Sequence, residues 1–197
     1  DLTEADLRGV NLSGANLTGA DLAGADLIGA NLKKTVLINA RLTDAKVEQG
    51  QLGQALLCHT KTIDGAVSGC NLSGRDLVGV DLQGTNLAEA DFSDANLTGA
   101  VLRGTNLVGA NLADADLSEA DLSWTNLTGV NLSEVNLAGA NLTGTNLTEA
   151  DLKGANLSAT YLTRTNLTGA NLYGVNLNRA VLVNADLTDA KIEQGKL

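Results

Sequence analysis

Apolar residues recur along the chain with a period of five. Stepping by five from Leu2 to Leu197, 35 of the 40 positions are Leu. The exceptions are Val47, Thr62, Val67, Phe92 and Ile192, so Thr62 alone breaks the apolar register. Two residues before each centre the side chain is small. Ala fills 21 of these 39 places, and Val, Thr, Gly or Cys fill the rest except at Arg75. One residue before the centre, Asn or Asp occupies 28 of 40 positions.

That period fits neither a straight helix nor a straight strand. Five residues of helix rotate by about 500°, which would carry successive Leu around the surface. In a strand an odd period sends successive Leu to opposite faces. Every Leu can point the same way only if the chain turns once per repeat, and the Asn, Asp and Gly between centres supply the turn chemistry. If each pentad is one side and one corner, about four close a coil, with Leu and the small residues directed at a shared axis.

The units Ala15-Asn16-Leu17-Thr18-Gly19, Ala20-Asp21-Leu22-Ala23-Gly24 and Ala140-Asn141-Leu142-Thr143-Gly144 resemble the A(D/N)LXX motif of the pentapeptide-repeat family. The resemblance runs over nearly the whole chain. It implies an all-β fold, a right-handed quadrilateral parallel β-helix of about ten coils at twenty residues each. The Leu-centred style is similar to that of cyanobacterial members. It is less like the topoisomerase-protecting members, whose centres are often Phe.

The pattern divides the chain into a first repeat segment (1–46), an irregular coil or loop (47–70) and a main tower (71–197). Within 47–70 the Asn/Asp position is lost, being held by Gln51, Leu56, Lys61 and Ala66. Leu52 and Leu72 are still twenty apart, so the numerical phase is kept. Residues 57–70 resemble a motif near the end of many family towers, in which a Leu-Cys pair (Leu57-Cys58) leads through Thr60 and Thr62 to Asp64-Gly65. Residues 38–52 recur almost unchanged at 183–197, which predicts a second interruption just past Leu197 and a longer parent array.

Composition narrows the functional classes. Aromatic residues are 2% of the chain and net charge is −10, with a sequence pI near 4.4. A basic face for phosphates is lacking, so direct nucleic-acid binding is not expected. No apolar run reaches the roughly 18 residues of a membrane span. The chain is expected to be a segment of a larger cyanobacterial-type protein whose other parts can hold such spans, and its compartment and oligomeric state are left open. No cofactor or metal is implied, since His59 is the single His and no second ligand pair accompanies it.

The candidate site residues lie among the exceptions. Cys58 and Cys70 flank the break and are either a disulfide clamp or two reduced thiols. His59 beside Cys58 lacks a third orienting group for nucleophilic catalysis. Arg75, at an inward position, is expected to be buried and paired. Asp94, Asp114 and Glu134 are twenty apart and are expected to stack on one face, with Asp91 and Asp151 beside them and Asp116, Glu119 and Asp121 around a corner. Trp124 is expected to point outward as a partner contact, and Tyr161 and Tyr173 to be exposed.

The leading expectation is a non-enzymatic scaffold that binds a protein partner along an extended face. The alternative is an acidic mimic of DNA that binds a type II topoisomerase, as the family resemblance implies. A cation-binding surface on the acidic stripe is the lesser alternative.

Overall fold

The computed structural model describes residues 1–193, and the second interruption expected past Leu197 lies outside them. The chain forms two compact units, Asp1–Asn71 and Leu72–Leu197.

In each unit the backbone is a right-handed quadrilateral β-helix. Its strands are one bridged residue long, and each parallel bridge joins residues twenty apart. In the second unit, for example, parallel bridges run Asp91↔Asn111↔Asn131↔Asp151↔Asn171↔Lys191. Four such columns make four sides, so four pentads close one coil. The expected twenty-residue coil is thus written directly in the pairing.

One pentad shows why the sequence folds this way. The Leu142 N–H donates to the Tyr161 carbonyl of the next coil at 2.8 Å, and the Thr145 N–H turns back to the Leu142 carbonyl at 3.1 Å. Between them Gly144 takes φ +68, the positive φ that the third residue of a type II turn requires. The Asn141 Oδ1 accepts the Thr143 N–H at 3.1 Å. This Asx turn is the reason for Asn or Asp before each Leu. The same amide side chains form ladders along the axis: Asn156 Nδ2 donates to Asn136 Oδ1, and Asn176 Nδ2 to Asn156 Oδ1, each at 3.0 Å.

The core follows from the inward positions. Leu77, Leu82, Leu87, Phe92 and Leu97 are all 0% exposed, and Ala at the small position lets the corners close. Where Thr replaces Ala the hydroxyl is buried and needs an acceptor. It finds a turn carbonyl. Thr105 and Thr85 both donate to Leu82 O, at 2.8 and 2.7 Å, and Thr145 and Thr165 donate to Leu122 O and Leu142 O at 2.8 and 2.7 Å. Thr85, Thr105, Thr125, Thr145 and Thr165 therefore form an internal column along one side.

The irregular segment belongs to the first unit and is part coil, part hairpin. Leu56 and Lys61 still bridge Val36 and Arg41. A short 3₁₀ turn, Gln51–Gln54, takes the place of a regular side. The buried Gln51 side chain donates to the carbonyls of Leu27 and Ala30 at 2.7 and 2.8 Å. At Ala30 it stands in for the next coil's backbone N–H, and at Leu27 it adds a second donor to the turn bond from the Ala30 N–H. From Thr62 the chain leaves the coil. Lys61 and Val67 form an antiparallel bridge, and Thr62 Oγ1 bonds Asp64 Oδ1 at 2.5 Å inside the turn. Val67 is 67% exposed. The numerical phase kept from Leu52 to Leu72 therefore does not mean that positions 62 and 67 point inward. The single non-apolar centre, Thr62, is non-apolar because it is a hairpin residue.

Candidate functional site: the acidic face of the second unit

The five carboxylates expected on one face of the second unit are of two kinds in the structure. Asp91 and Asp151 stand in the bridged column, separated by Asn111 and Asn131. Their oxygens are engaged in turns. Asp91 Oδ1 accepts the Ser93 hydroxyl at 2.7 Å, the Ser93 N–H at 3.1 Å and the Asn111 amide at 3.2 Å. These bonds, the Ser93 hydroxyl first, hold the Asp91 carboxyl below the usual carboxylate range. Asp151 Oδ1 accepts the Lys153 N–H and the Asn171 amide. Both residues are half-buried.

Asp94, Asp114 and Glu134 are different. They occupy the positive-φ turn position of three successive coils, with φ of 57, 58 and 56, and all three are exposed. Glycine is the easy residue at such a position, and an L side chain there costs on the order of 1–3 kcal/mol. Their backbones are pinned by the ladder: the Asp94, Asp114 and Glu134 N–H groups donate to Ala113, Ser133 and Lys153 carbonyls at 3.0, 3.0 and 2.9 Å. Three carboxylates therefore rise from one corner, about one strand spacing of 4.8 Å apart per coil. Like charges so placed repel and concentrate negative potential along the edge. Asp116 and Glu119 lie on the adjoining side, but Asp121, expected just around a corner, stands in the Val101↔Asp121↔Asn141 column two sides away, on the opposite side of the coil. Among the described residues no group of three or more His, Cys, Asp or Glu is arranged to hold a metal ion.

Trp124 also sits in a positive-φ turn (φ 61) and is 57% exposed. A Cβ built on Gly144 would lie 2.7–2.9 Å from Cε3, Cζ3 and Cδ2 of its ring, so the ring lies across the glycine of the next coil. Tyr161 and Tyr173 are 54% and 47% exposed.

In the first unit Cys58 and Cys70 are joined, with their Cα atoms 4.3 Å apart. Cys58 is buried and Cys70 half-buried. The bridge spans the 61–67 hairpin, whose base is held by Thr60 N–H donating to Ser68 Oγ at 3.0 Å and Ser68 N–H to Thr60 O at 2.9 Å. His59 Nδ1 lies 3.8 Å from Cys58 Sγ, a sulfur already committed to the disulfide. The cations that cluster in this unit are partly neutralised. Arg41 grips Asp21 of the preceding coil in a two-pronged contact, and Lys46 Nζ is 3.9 Å from Asp26. Arg75, expected to be buried, is half-buried; a long side chain can cover an inward position with its stem and keep its charge toward water.

Three features escaped the reading of the sequence: the Gln51 plug, the threonine column, and the pairing of long turn residues with glycines twenty residues on. The last had a signal, because Glu4, Glu89, Glu119, Trp124, Glu134 and Glu149 are each followed at that distance by Gly.

The geometry defines a repeat solenoid with single-residue strands and five-residue sides. A pentapeptide-repeat profile matches residues 1–37, 20–57, 68–104, 95–133, 131–169 and 160–197. The chain belongs to the pentapeptide-repeat family. No curated protein matches it significantly. Among solved structures it is similar to a pentapeptide repeat protein from the Arabidopsis thaliana thylakoid lumen, with 39% identity over 46% of this chain and a TM-score of 0.45; the chain spans 63% of that protein's length. HetL, a pentapeptide repeat protein involved in heterocyst differentiation regulation in the cyanobacterium Nostoc, is 30% identical over 100% of this chain and 93% of its own, with a TM-score of 0.44. QnrB1, a plasmid-mediated fluoroquinolone resistance protein, is 18% identical over 98% of this chain and 85% of its own, with a TM-score of 0.46.

Proposed function

We propose that this chain is a non-enzymatic interaction module whose second unit docks a basic protein surface along its acidic corner. The observation that carries the reading is the placement of Asp94, Asp114 and Glu134, exposed at the same turn position of three successive coils. Residues that strain the backbone and repel each other reduce stability; a Lys- or Arg-bearing partner would convert both features into recognition. Among the described residues the core is filled by Leu and Ala side chains, which favours reading recognition on the outside.

The test is affinity capture with the wild type and an Asp94→Asn/Asp114→Asn/Glu134→Gln variant, compared by quantitative mass spectrometry. A basic partner retained by the wild type and lost from the variant is expected. Identical captured sets would contradict the reading.

The same carboxylate series favours one second reading, an acidic mimic of DNA directed at a type II topoisomerase. A gyrase supercoiling assay decides it: inhibition or protection at micromolar protein supports the mimic, and its absence removes it.

A further inference from the structure

The four sides of the second unit differ in chemistry. One side carries Glu89, Glu149, Asp186 and Asp189 and no cation. The side containing Trp124 is balanced, with Asp81 and Asp121 against Arg103 and Arg164. It also holds the exposed apolar groups Trp124, Tyr161 and Val183, at 57%, 54% and 56% exposure. Their order is fixed by the bridges Asp121↔Asn141↔Tyr161↔Val181. Trp124 begins one coil before Gly144, its ring covers that glycine, and Tyr161 stands on the following coil. One face of the indole is thus spent on the backbone, and the other is presented to solvent.

The hydroxyls beside these rings are also distinctive. Thr128, Thr148 and Thr168 on the neighbouring side donate to the Oδ1 of Asn126, Asn146 and Asn166 at 2.7, 2.6 and 2.7 Å. The backbones here are paired, with the Thr143 N–H donating to Asn141 Oδ1 and the Thr143 and Thr163 carbonyls accepting from the Trp124 and Gly144 N–H groups, but the Thr143 and Thr163 hydroxyls have no hydrogen-bond partner among the described residues.

We propose that this side binds an extended, neutral, β-linked glycan, with Trp124 and Tyr161 as stacking platforms and Thr143 and Thr163 as hydroxyl partners. The C–H faces of a pyranose are electropositive and fit the negative face of an aromatic ring, while its equatorial hydroxyls match side-chain hydroxyls at the rim. A neutral ligand suits the side with balanced charge, whereas the all-acidic side favours cations. An extended glycan running along the axis would meet a new coil with each sugar, at a rise of about 4.8 Å. The proposal is independent of the acidic corner, which lies on a different side.

Trp124 is the sole Trp, so its emission reports the site directly. The full chain is titrated with cellohexaose and with chitohexaose, followed by Trp fluorescence and calorimetry. Saturable binding of at least one, with a blue shift of the Trp emission, is expected. Trp124→Gly suits the positive φ of that turn and keeps the fold, and calorimetry then reads a loss of affinity of at least about tenfold. Tyr161→Thr should weaken binding in the same direction. Thermal melting of each variant confirms that it is folded. The proposal is overturned by no saturable signal at about 10 mM of either oligosaccharide, by binding that survives Trp124→Gly, or by a response to a proline-rich peptide alone.

Discussion

The indole of Trp124 lies across Gly144, twenty residues on, so closely that a Cβ on the glycine would sit 2.7 Å from Cε3 of the ring. The contact couples a strained turn to the absence of a side chain in the next coil. Glu134 over Gly154 repeats the arrangement. Gly144→Ala must therefore displace the ring and strain a residue with φ +68. A loss of about 1–3 kcal/mol is expected, together with a changed Trp emission. Adding Trp124→Gly to that variant should recover the part due to the clash, as read by a double-mutant cycle in urea unfolding.

Ala159 takes φ 56 with no contact-making side chain to justify it. Ala159→Gly removes the left-handed strain while loosening the unfolded chain by about 0.4–1 kcal/mol. The net expectation is a stability unchanged or raised by up to about 1 kcal/mol, in contrast to the usual penalty for Gly within regular structure. A clear drop in melting temperature would show that the turn does not require positive φ.

The buried threonine column predicts a different response. Thr145→Val keeps shape but deletes the hydroxyl that reaches the Leu122 carbonyl. The cost should be about 0.5–1.5 kcal/mol, measured by chemical denaturation of the second unit.

Cys58–Cys70 closes a loop of twelve residues' separation in the first unit. Cys58→Ser with Cys70→Ser should destabilise that unit by about 2–3 kcal/mol through loop entropy in the unfolded chain. Hydrogen exchange should show faster exchange at residues 57–70, with the regular coils of the second unit unchanged.

The repeat made most of the fold legible. Leu at every fifth place, and Asn or Asp before it, forecast both the inward core and the Asx turns. The family resemblance supplied the four sides and the handedness, which periodicity alone could not. The irregular segment was harder because counting by fives survives even where the chain leaves the coil: Val67 keeps its number and faces water. Gln51 was unreadable because its value lies in two carbonyls, Leu27 and Ala30, more than twenty residues back. The acidic stripe was legible as a column but not as two kinds of carboxylate, because turn bonding and exposure depend on which position of the pentad each residue holds.

Acid stability follows from those turn carboxylates. Asp6 is lowered to about 2 from 3.8, chiefly by the Arg8 side chain. Asp21, Asp64, Asp91 and Asp186 are also lowered, led by side-chain hydrogen bonds from Arg41, Thr62, Ser93 and Thr188 respectively. A depressed folded pKa means that the unfolded chain binds protons first as pH falls. The contribution is complete above the unfolded value and is lost as pH drops through the folded one. Melting temperature should therefore respond little to these groups between pH 7 and about 5 and decline below about 4.

The acidic corner is tested most directly by charge removal matched between two sides. A basic octalysine peptide is titrated against the wild type, an Asp94→Asn/Asp114→Asn/Glu134→Gln variant, and a Glu89→Gln/Glu149→Gln/Asp189→Asn variant that loses the same number of charges elsewhere. The account predicts that the first variant weakens binding by at least about tenfold at low salt and flattens its salt dependence, while the second stays within about twofold of the wild type. Equal losses in both variants would show that the peptide senses only net charge, and would contradict a docking surface at Asp94, Asp114 and Glu134.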